Sequence, residues 1–118
     1  MRIIACAALI ASAVAAPAPG RDRTLAVDHV RCELDAGPPR DCRLTDTVGR
    51  DGTHRMVFTF DTRRVVFVGR SQTGWWAGTL NGRPAMGYER NRGNMVLSTH
   101  DLKTSFAWWY SGMAHGTY

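Results

Sequence analysis

The sequence lacks the residue groupings that identify most small enzymes and metal proteins. It contains only two glutamates, Glu33 and Glu89, far apart along the chain, which does not indicate a carboxylate pair for glycoside chemistry. No serine lies in a Gly-x-Ser-x-Gly motif. The histidines show neither His-x-His nor His-x-x-x-His spacing. We therefore predict no catalytic residue, cofactor or metal ion.

The sequence also lacks a second long hydrophobic run. The only one, residues 3–14, follows Arg2 and ends in the small-residue cleavage site 13–15. This pattern is typical of a secretory signal peptide cleaved after Ala15. The alternative is a membrane anchor, but about a dozen apolar residues fall short of the ~20 needed to span a bilayer. We expect residues 1–15 to be a signal peptide and the protein to be exported, periplasmic or extracellular, and not membrane-spanning.

Cysteine is scarce, with three in 118 residues. Removal of the signal peptide would remove Cys6, leaving Cys32 and Cys42 as a pair in an oxidising compartment. Their spacing is too wide for a redox Cys-x-x-Cys motif, so we predict one structural disulfide. A loop of about 11 residues corresponds to roughly 2.5 to 3 kcal/mol in the chain-entropy description.

No segment shows a convincing helical period. Residues 16–24 carry two prolines and a glycine, typical of a flexible arm. Residues 25–118 then form one domain in which turn signals recur every 8 to 12 residues, with Asn81-Gly82 indicating a type I′ hairpin. The predicted strands are 25–33, 41–48, 54–60, 64–69, 75–80, 83–89, 94–99 and 104–110. This predicts an all-β fold, either a small antiparallel β-barrel or a two-sheet sandwich.

The clearest half-buried strand is 54–60. Its alternation places Met56, Phe58 and Phe60 toward the core. Residues 65–68 are apolar on both faces, which predicts a central strand or one covered by a second layer.

The tryptophans form two adjacent pairs, Trp75-Trp76 and Trp108-Trp109, each inside a predicted strand. Neighbours in a strand point to opposite faces, so one member of each pair is expected in the core and the other on the outer face. An exposed Trp suits a sugar ring or a protein partner. The alternative is that the barrel wall or a folded-over tail covers the outer pair.

A polar turn follows Tyr88. Arg90 and Arg92 could bind a carboxylate or phosphate of a partner, or Glu89 could pair with a neighbouring arginine and the segment serve only as a turn. The 15 basic and 10 acidic residues give a net charge of +5. That charge favours anionic envelope polymers or an acidic protein as partners, unless it merely reflects arginine-rich composition; export argues against nucleic acid.

Three functions remain open. The first is a non-enzymatic binding module of the bacterial cell envelope that presents an aromatic and arginine face to a glycan or protein. The second is an enzyme inhibitor acting through a protruding loop at 70–74 or 90–94, since the signal peptide, early disulfide and eight-stranded meander are loosely similar to small periplasmic inhibitors of lysozyme. No inhibitory-loop motif matches, so that resemblance assigns no residue. The third is a small hydrolase around His100 and Asp101.

The binding residues predicted for the first function are Trp75, Trp76, Tyr88, Arg90, Arg92, Trp108 and Trp109.

Overall fold

The computed structural model describes residues 23–91 and 93–112, and within them the chain forms only strands and turns. No helix in this part is long and apolar enough to cross a membrane. The predicted signal peptide, most of the predicted arm, Arg92 and residues 113–118 lie outside the described residues. The strands are β1 Arg23–Leu34, β2 Arg40–Val48, β3 His54–Phe60, β4 Arg63–Ser71, β5 Trp75–Leu80, β6 Arg83–Asn91, β7 Asn94–Thr99 and β8 Ser105–Trp109.

The eight strands form a closed antiparallel barrel in sequence order. Each strand pairs with the next, and β8 returns to pair with β1 through partners such as Cys32 with Trp108 and Leu34 with Phe106. This closing ladder confirms the all-β prediction and decides between its two alternatives in favour of the barrel. The register also fixes which side chains share a face, because directly opposed residues point the same way.

The core lies inside the barrel and is built from alternate residues of every strand. Met56, Phe58 and Phe60 are buried, as the period of two predicts. The Phe58 ring lies 4.7 Å from that of Phe106 and 5.6 Å from that of Trp108, measured between centroids. The barrel interior around Phe58 is therefore packed with aromatic rings.

The predicted disulfide joins Cys32 of β1 to Cys42 of β2, with their Cα atoms 6.1 Å apart. Both cysteines point inward and are almost fully buried. The bond therefore ties the first hairpin together from inside the barrel.

The turn prediction at Asn81-Gly82 is confirmed, since both residues have positive φ, 49° and 81°. The prediction for residues 65–68 is confirmed in its first form, a strand with neighbours on both sides. β4 has a neighbour on each side, but no second layer covers it among the described residues. Its outward Val66 and Val68 are half-buried by adjacent side chains alone.

Candidate functional site

The structure separates the members of each tryptophan pair. Trp76 and Trp108 point into the barrel and are 7% and 6% exposed, so these two predicted binding residues belong to the core. Trp75 points outward and is 43% exposed, while Trp109 points outward and is half-buried. The outer member of each pair is therefore the one that can meet a partner.

Trp75 lies beside a second exposed aromatic side chain. It stands directly opposite Tyr88 across the β5–β6 ladder, and Tyr88 is 47% exposed. The next outward pair along the same ladder is Ala77 with Met86, and Met86 is also 43% exposed. Directly opposed side chains in a sheet lie about 5 Å apart at Cβ, so the two rings and the methionine form one continuous surface.

The surface continues over β7 to the turn that follows it. Val96 stands opposite Tyr88 on the other side of β6. Together with Met86 and with Leu102 of the β7–β8 turn, Tyr88 and Val96 border a groove of about 450 Å³. Trp75 lies next to this groove, opposite Tyr88. We call Trp75, Met86, Tyr88, Val96 and Leu102 the aromatic face.

Leu102 is held outward by a strained backbone. Its φ of 61° is uncommon for a bulky residue, and its side chain is 80% exposed. Asp101 fixes the turn, because its carboxylate accepts hydrogen bonds from the Thr99 hydroxyl at 2.7 Å and the Lys103 backbone N–H at 3.0 Å, and pairs with Arg83. The Thr99 hydrogen bond, followed by that from Lys103, lowers the pKa of Asp101.

The residues predicted for a small hydrolase lie around this turn. His100 and two serines, Ser98 and Ser105, border the groove. However, the Ser98 hydroxyl donates to the Thr99 carbonyl, and the Asp101 carboxylate is occupied by the turn. Among the described residues, no hydrogen bond connects the His100 ring to a serine or to Asp101. The contacts of Asp101 therefore assign its carboxylate to the turn.

Two further predicted binding residues, Trp109 and Arg90, lie at the margin of the aromatic face. Trp109 on β8 stands opposite Asn94 of β7 and Arg31 of β1, so one strand separates it from Tyr88. Arg90 is exposed at an irregularity in the β6–β7 register. Arg92 lies outside the described residues. The structure thus brings Trp75 and Tyr88 together directly and places Trp109 on the same side of the barrel.

Of the two loops considered for an inhibitor, the structure describes 70–74 completely and 90–94 without Arg92. Only residues 72–74 connect β4 to β5, and the Gln72 N–H donates to the Trp75 carbonyl at 2.6 Å. Between β6 and β7, Asn91 pairs directly with Asn94. The connection between β4 and β5 is therefore a tight hairpin turn that does not protrude from the barrel.

Sequence reasoning missed two polar pairs at one end of the barrel, His54 with Asp46 and Tyr110 with Asp28. His54 Nδ1 lies 3.0 Å from Asp46 Oδ1, and the Trp76 ring meets the His54 ring edge-on at 4.9 Å. The Tyr110 hydroxyl donates to Asp28 at 3.3 Å. Burial, followed by the charge of Asp28, raises the pKa of Tyr110. The available signal was that His54 is in phase with the inward residues Met56 and Phe58.

Each of these four polar side chains has a hydrogen-bond partner. Such a partner is the usual condition for polar groups that are removed from water, as His54 and Asp46 partly are. Within residues 23–91 and 93–112, no group of three or more His, Cys, Asp or Glu side chains is placed to hold a metal ion. The aromatic face is therefore the best candidate site. Comparison with protein-family models, curated proteins and solved structures gave no match to this chain.

Proposed function

We propose that this protein is an exported, non-enzymatic binding module of the cell envelope that engages a protein partner through the aromatic face. The observation that carries the proposal is the directly opposed pair Trp75 and Tyr88 at the end of the β5–β6 ladder, both more than two-fifths exposed. Trp and Tyr are the residue types most often found at the energetic centre of protein interfaces.

The energetics favour covering this surface. Full burial of one large apolar side chain is worth about 1.5 to 3 kcal/mol, and monomeric proteins rarely leave several such side chains exposed side by side. Trp75, Met86, Tyr88 and Leu102 are all exposed. A partner that covers these side chains gains the part of that free energy that belongs to their exposed fraction, which favours association at this surface.

The side chains around Trp75 and Tyr88 favour a protein over a glycan as the ligand. A sugar-binding site combines a flat ring with polar groups that bond hydroxyls. Ser98, His100 and Ser105 also border the groove beside Tyr88, but most of its accessible surface is apolar and includes Met86, Val96 and Leu102. Methionine is enriched at protein interfaces. Arg70, on the flank beside Ala77, already pairs with Asp51 at 2.9 Å. The expected partner therefore presents an apolar ridge that fits the groove.

The test compares capture of a protein from envelope extract by the purified, oxidised chain with capture by Trp75→Ala and Tyr88→Ala. Val27→Ala is the matched control, because Val27 is 48% exposed on β1, which is not part of the aromatic face. The captured protein is then purified and its affinity measured. We expect each aromatic variant to weaken binding at least about tenfold, which corresponds to about 1.4 kcal/mol, and the control to leave it unchanged.

Two results would overturn the proposal. One is equal capture by Trp75→Ala and the unchanged protein. The other is salt-resistant co-sedimentation with purified cell-wall sacculi that Trp75→Ala abolishes, since this would identify the ligand as a glycan.

A further inference from the structure

We infer that a second surface of the barrel binds an extended anionic glycan. It lies on the outer side of β1 to β4 and is independent of the proposed function, which concerns β5 to β7. We call this surface the basic face; its residues are His29, Arg43, Arg55, Thr59 and Arg64.

The strand register builds the basic face. His29 of β1 stands opposite Arg43 of β2, Arg43 opposite Thr59 of β3, and Thr59 opposite Arg64 of β4. These four side chains form one row around the barrel. All are exposed, and they alternate with the buried Val30, Cys42, Phe58 and Val65. Arg55 lies on the same side, four residues before Thr59 on β3.

The basic face carries uncompensated positive charge. Strands β3 and β4 contain no acidic residue at all. Two carboxylates lie near the row, but Asp41 pairs with Arg31 at 2.6 Å and Asp61 pairs with Arg40 at 3.1 Å. Within the described part of the chain, Arg43, Arg55 and Arg64 form no salt bridge. Three guanidinium groups are thus available to an anion from outside.

A cleft of about 270 Å³ accompanies the row. His29, Arg43, Thr59 and Phe60 border it, together with the two paired carboxylates Asp41 and Asp61. Arginine binds sulfate, phosphate and carboxylate groups through two parallel N–H donors, so Arg43 beside a hydroxyl of Thr59 suits one such group.

The dimensions favour a polymer over a single ion. Neighbouring strands lie about 4.8 Å apart, so the row from His29 to Arg64 spans roughly 14 Å across three spacings. Arg55 and Thr59 are separated by about 13 Å along β3 at about 3.3 Å per residue. One phosphate or sulfate cannot reach all three arginines, whereas a chain with repeated anionic groups can.

The chemistry of the face also favours a glycan over nucleic acid. Proteins that bind single strands combine basic side chains with aromatic rings on which bases stack. The outward positions of β3, Arg55, Val57 and Thr59, include no aromatic residue. The exposed aromatic side chains of β5 and β6 lie on the other side of the barrel.

The test uses a heparin column as the sulfated-glycan probe. The double variant R43A/R64A is compared with R83A/R70A, which removes the same charge from two arginines that already have partners, Asp101 and Asp51. We expect R43A/R64A to elute at clearly lower salt, with affinity reduced on the order of tenfold. We also expect the slope of log affinity against log salt to fall by about two, one for each arginine. Far-ultraviolet circular dichroism checks that each variant is folded, and R43Q/R64Q serves as a replacement if the first is not.

Three outcomes would overturn the inference. Equal losses in the two double variants would mean that only net charge matters. Competition by millimolar inorganic phosphate as effective as that by heparin would indicate a single-ion site. Binding to double-stranded DNA as tight as that to heparin, with the same loss in R43A/R64A, would identify a nucleic-acid surface.

Discussion

At the scale of single residues, the barrel depends on close contact between two glycines. Gly69 of β4 stands opposite Gly78 of β5, and both face inward. A Cβ on Gly78 would collide with the Val68 carbonyl oxygen and lie 2.5 Å from the Gly69 Cα. These are backbone atoms, which cannot move aside as a flexible side chain can.

We therefore predict that Gly78→Ala destabilises the protein by more than about 3 kcal/mol, the upper end of ordinary overpacking. Gly52→Ala is the control: Gly52 has a φ of 85° but no atom within 4 Å of the added Cβ, so only backbone strain of about 1 to 2 kcal/mol is expected. Urea unfolding of both variants measures the difference. Similar losses would show that β4 and β5 can separate to admit the methyl group.

Asp51 makes stability depend on pH. Its carboxylate accepts a hydrogen bond from the Thr53 N–H, the largest cause, and binds Arg70, and together these lower its pKa from 3.8 to about 2. A lowered pKa in the folded state stabilises the protein above the unfolded value, near pH 4, and this contribution is lost as the pH falls through about 2.

We expect Asp51→Asn to be less stable than the unchanged protein at pH 6. The two unfolding curves should converge between pH 4 and pH 2, because protonation removes the charge of Asp51 in the unchanged protein. Urea midpoints at pH 6, 4 and 2 test this expectation. A constant gap over that range would show that the charge of Asp51 has no part in the effect.

Residue alternation could predict that one tryptophan of each pair faces outward, but not which one. The choice follows from strand phase. On β5 the last residue, Leu80, points inward and is 1% exposed, so Trp76 and Gly78 share its face and Trp75 does not. The inward face of β3 could be predicted because three large apolar residues, Met56, Phe58 and Phe60, alternate along it. β5 mixes tryptophan with small residues, and its phase becomes evident only from its partners.

At the scale of elements, all eight strands could be predicted, and their ends differ from the prediction by at most two residues. The Asn81-Gly82 turn carried its own signal, since only certain residues adopt positive φ readily. The turn after β1 did not. It is made by Asp35 and Ala36, both with positive φ, and alanine gives no indication of that conformation. The positive φ of Leu102 could not be predicted either, because leucine gives no indication of that conformation.

The disulfide is the element-scale device whose effect can be measured directly. Because Cys32 and Cys42 join the first hairpin inside the barrel, replacing both with alanine should lower the free energy of unfolding by about 2 to 4 kcal/mol. Part of that loss reflects the greater freedom of the unfolded chain. Denaturant unfolding of the double variant, compared with the oxidised protein, measures it.

Reduction of the unchanged protein is the matched experiment, since it opens the bond without removing the sulfur atoms from the core. Its loss of stability should fall below that of the double alanine variant, which also leaves a small cavity. Unchanged stability on reduction would contradict a structural role for the bond.

At the scale of the whole molecule, closure could not be predicted, because it depends on pairing between the first and last strands. The β1–β8 ladder joins residues more than 70 positions apart, and a local period of two is the same in a sandwich and a barrel. Closure also creates the site. It curves the sheet so that the outer surfaces of β5 to β7 and of β1 to β4 face different directions.

The barrel thereby places an apolar surface and a basic surface on different sides of one small domain. The outward positions of β5 and β6 are mainly aromatic and aliphatic, whereas the row across β1 to β4 is basic. If each surface has its own ligand, the two binding events should be independent, because residues on opposite sides of a rigid barrel share no contact. A protein with this arrangement could hold a protein partner against an anionic polymer.

The corresponding prediction is a double dissociation. Trp75→Ala should weaken partner capture and leave elution from heparin unchanged, while R43A/R64A should elute from heparin at lower salt and leave partner capture unchanged. Saturating heparin should leave the fluorescence of Trp75 unchanged, measured as the difference between the unchanged protein and Trp75→Ala. Addition of the partner should shift that emission to shorter wavelength as the ring leaves water. Loss of both activities in either variant would mean that the two faces form one surface, and heparin-dependent emission from Trp75 would place the glycan on the aromatic face.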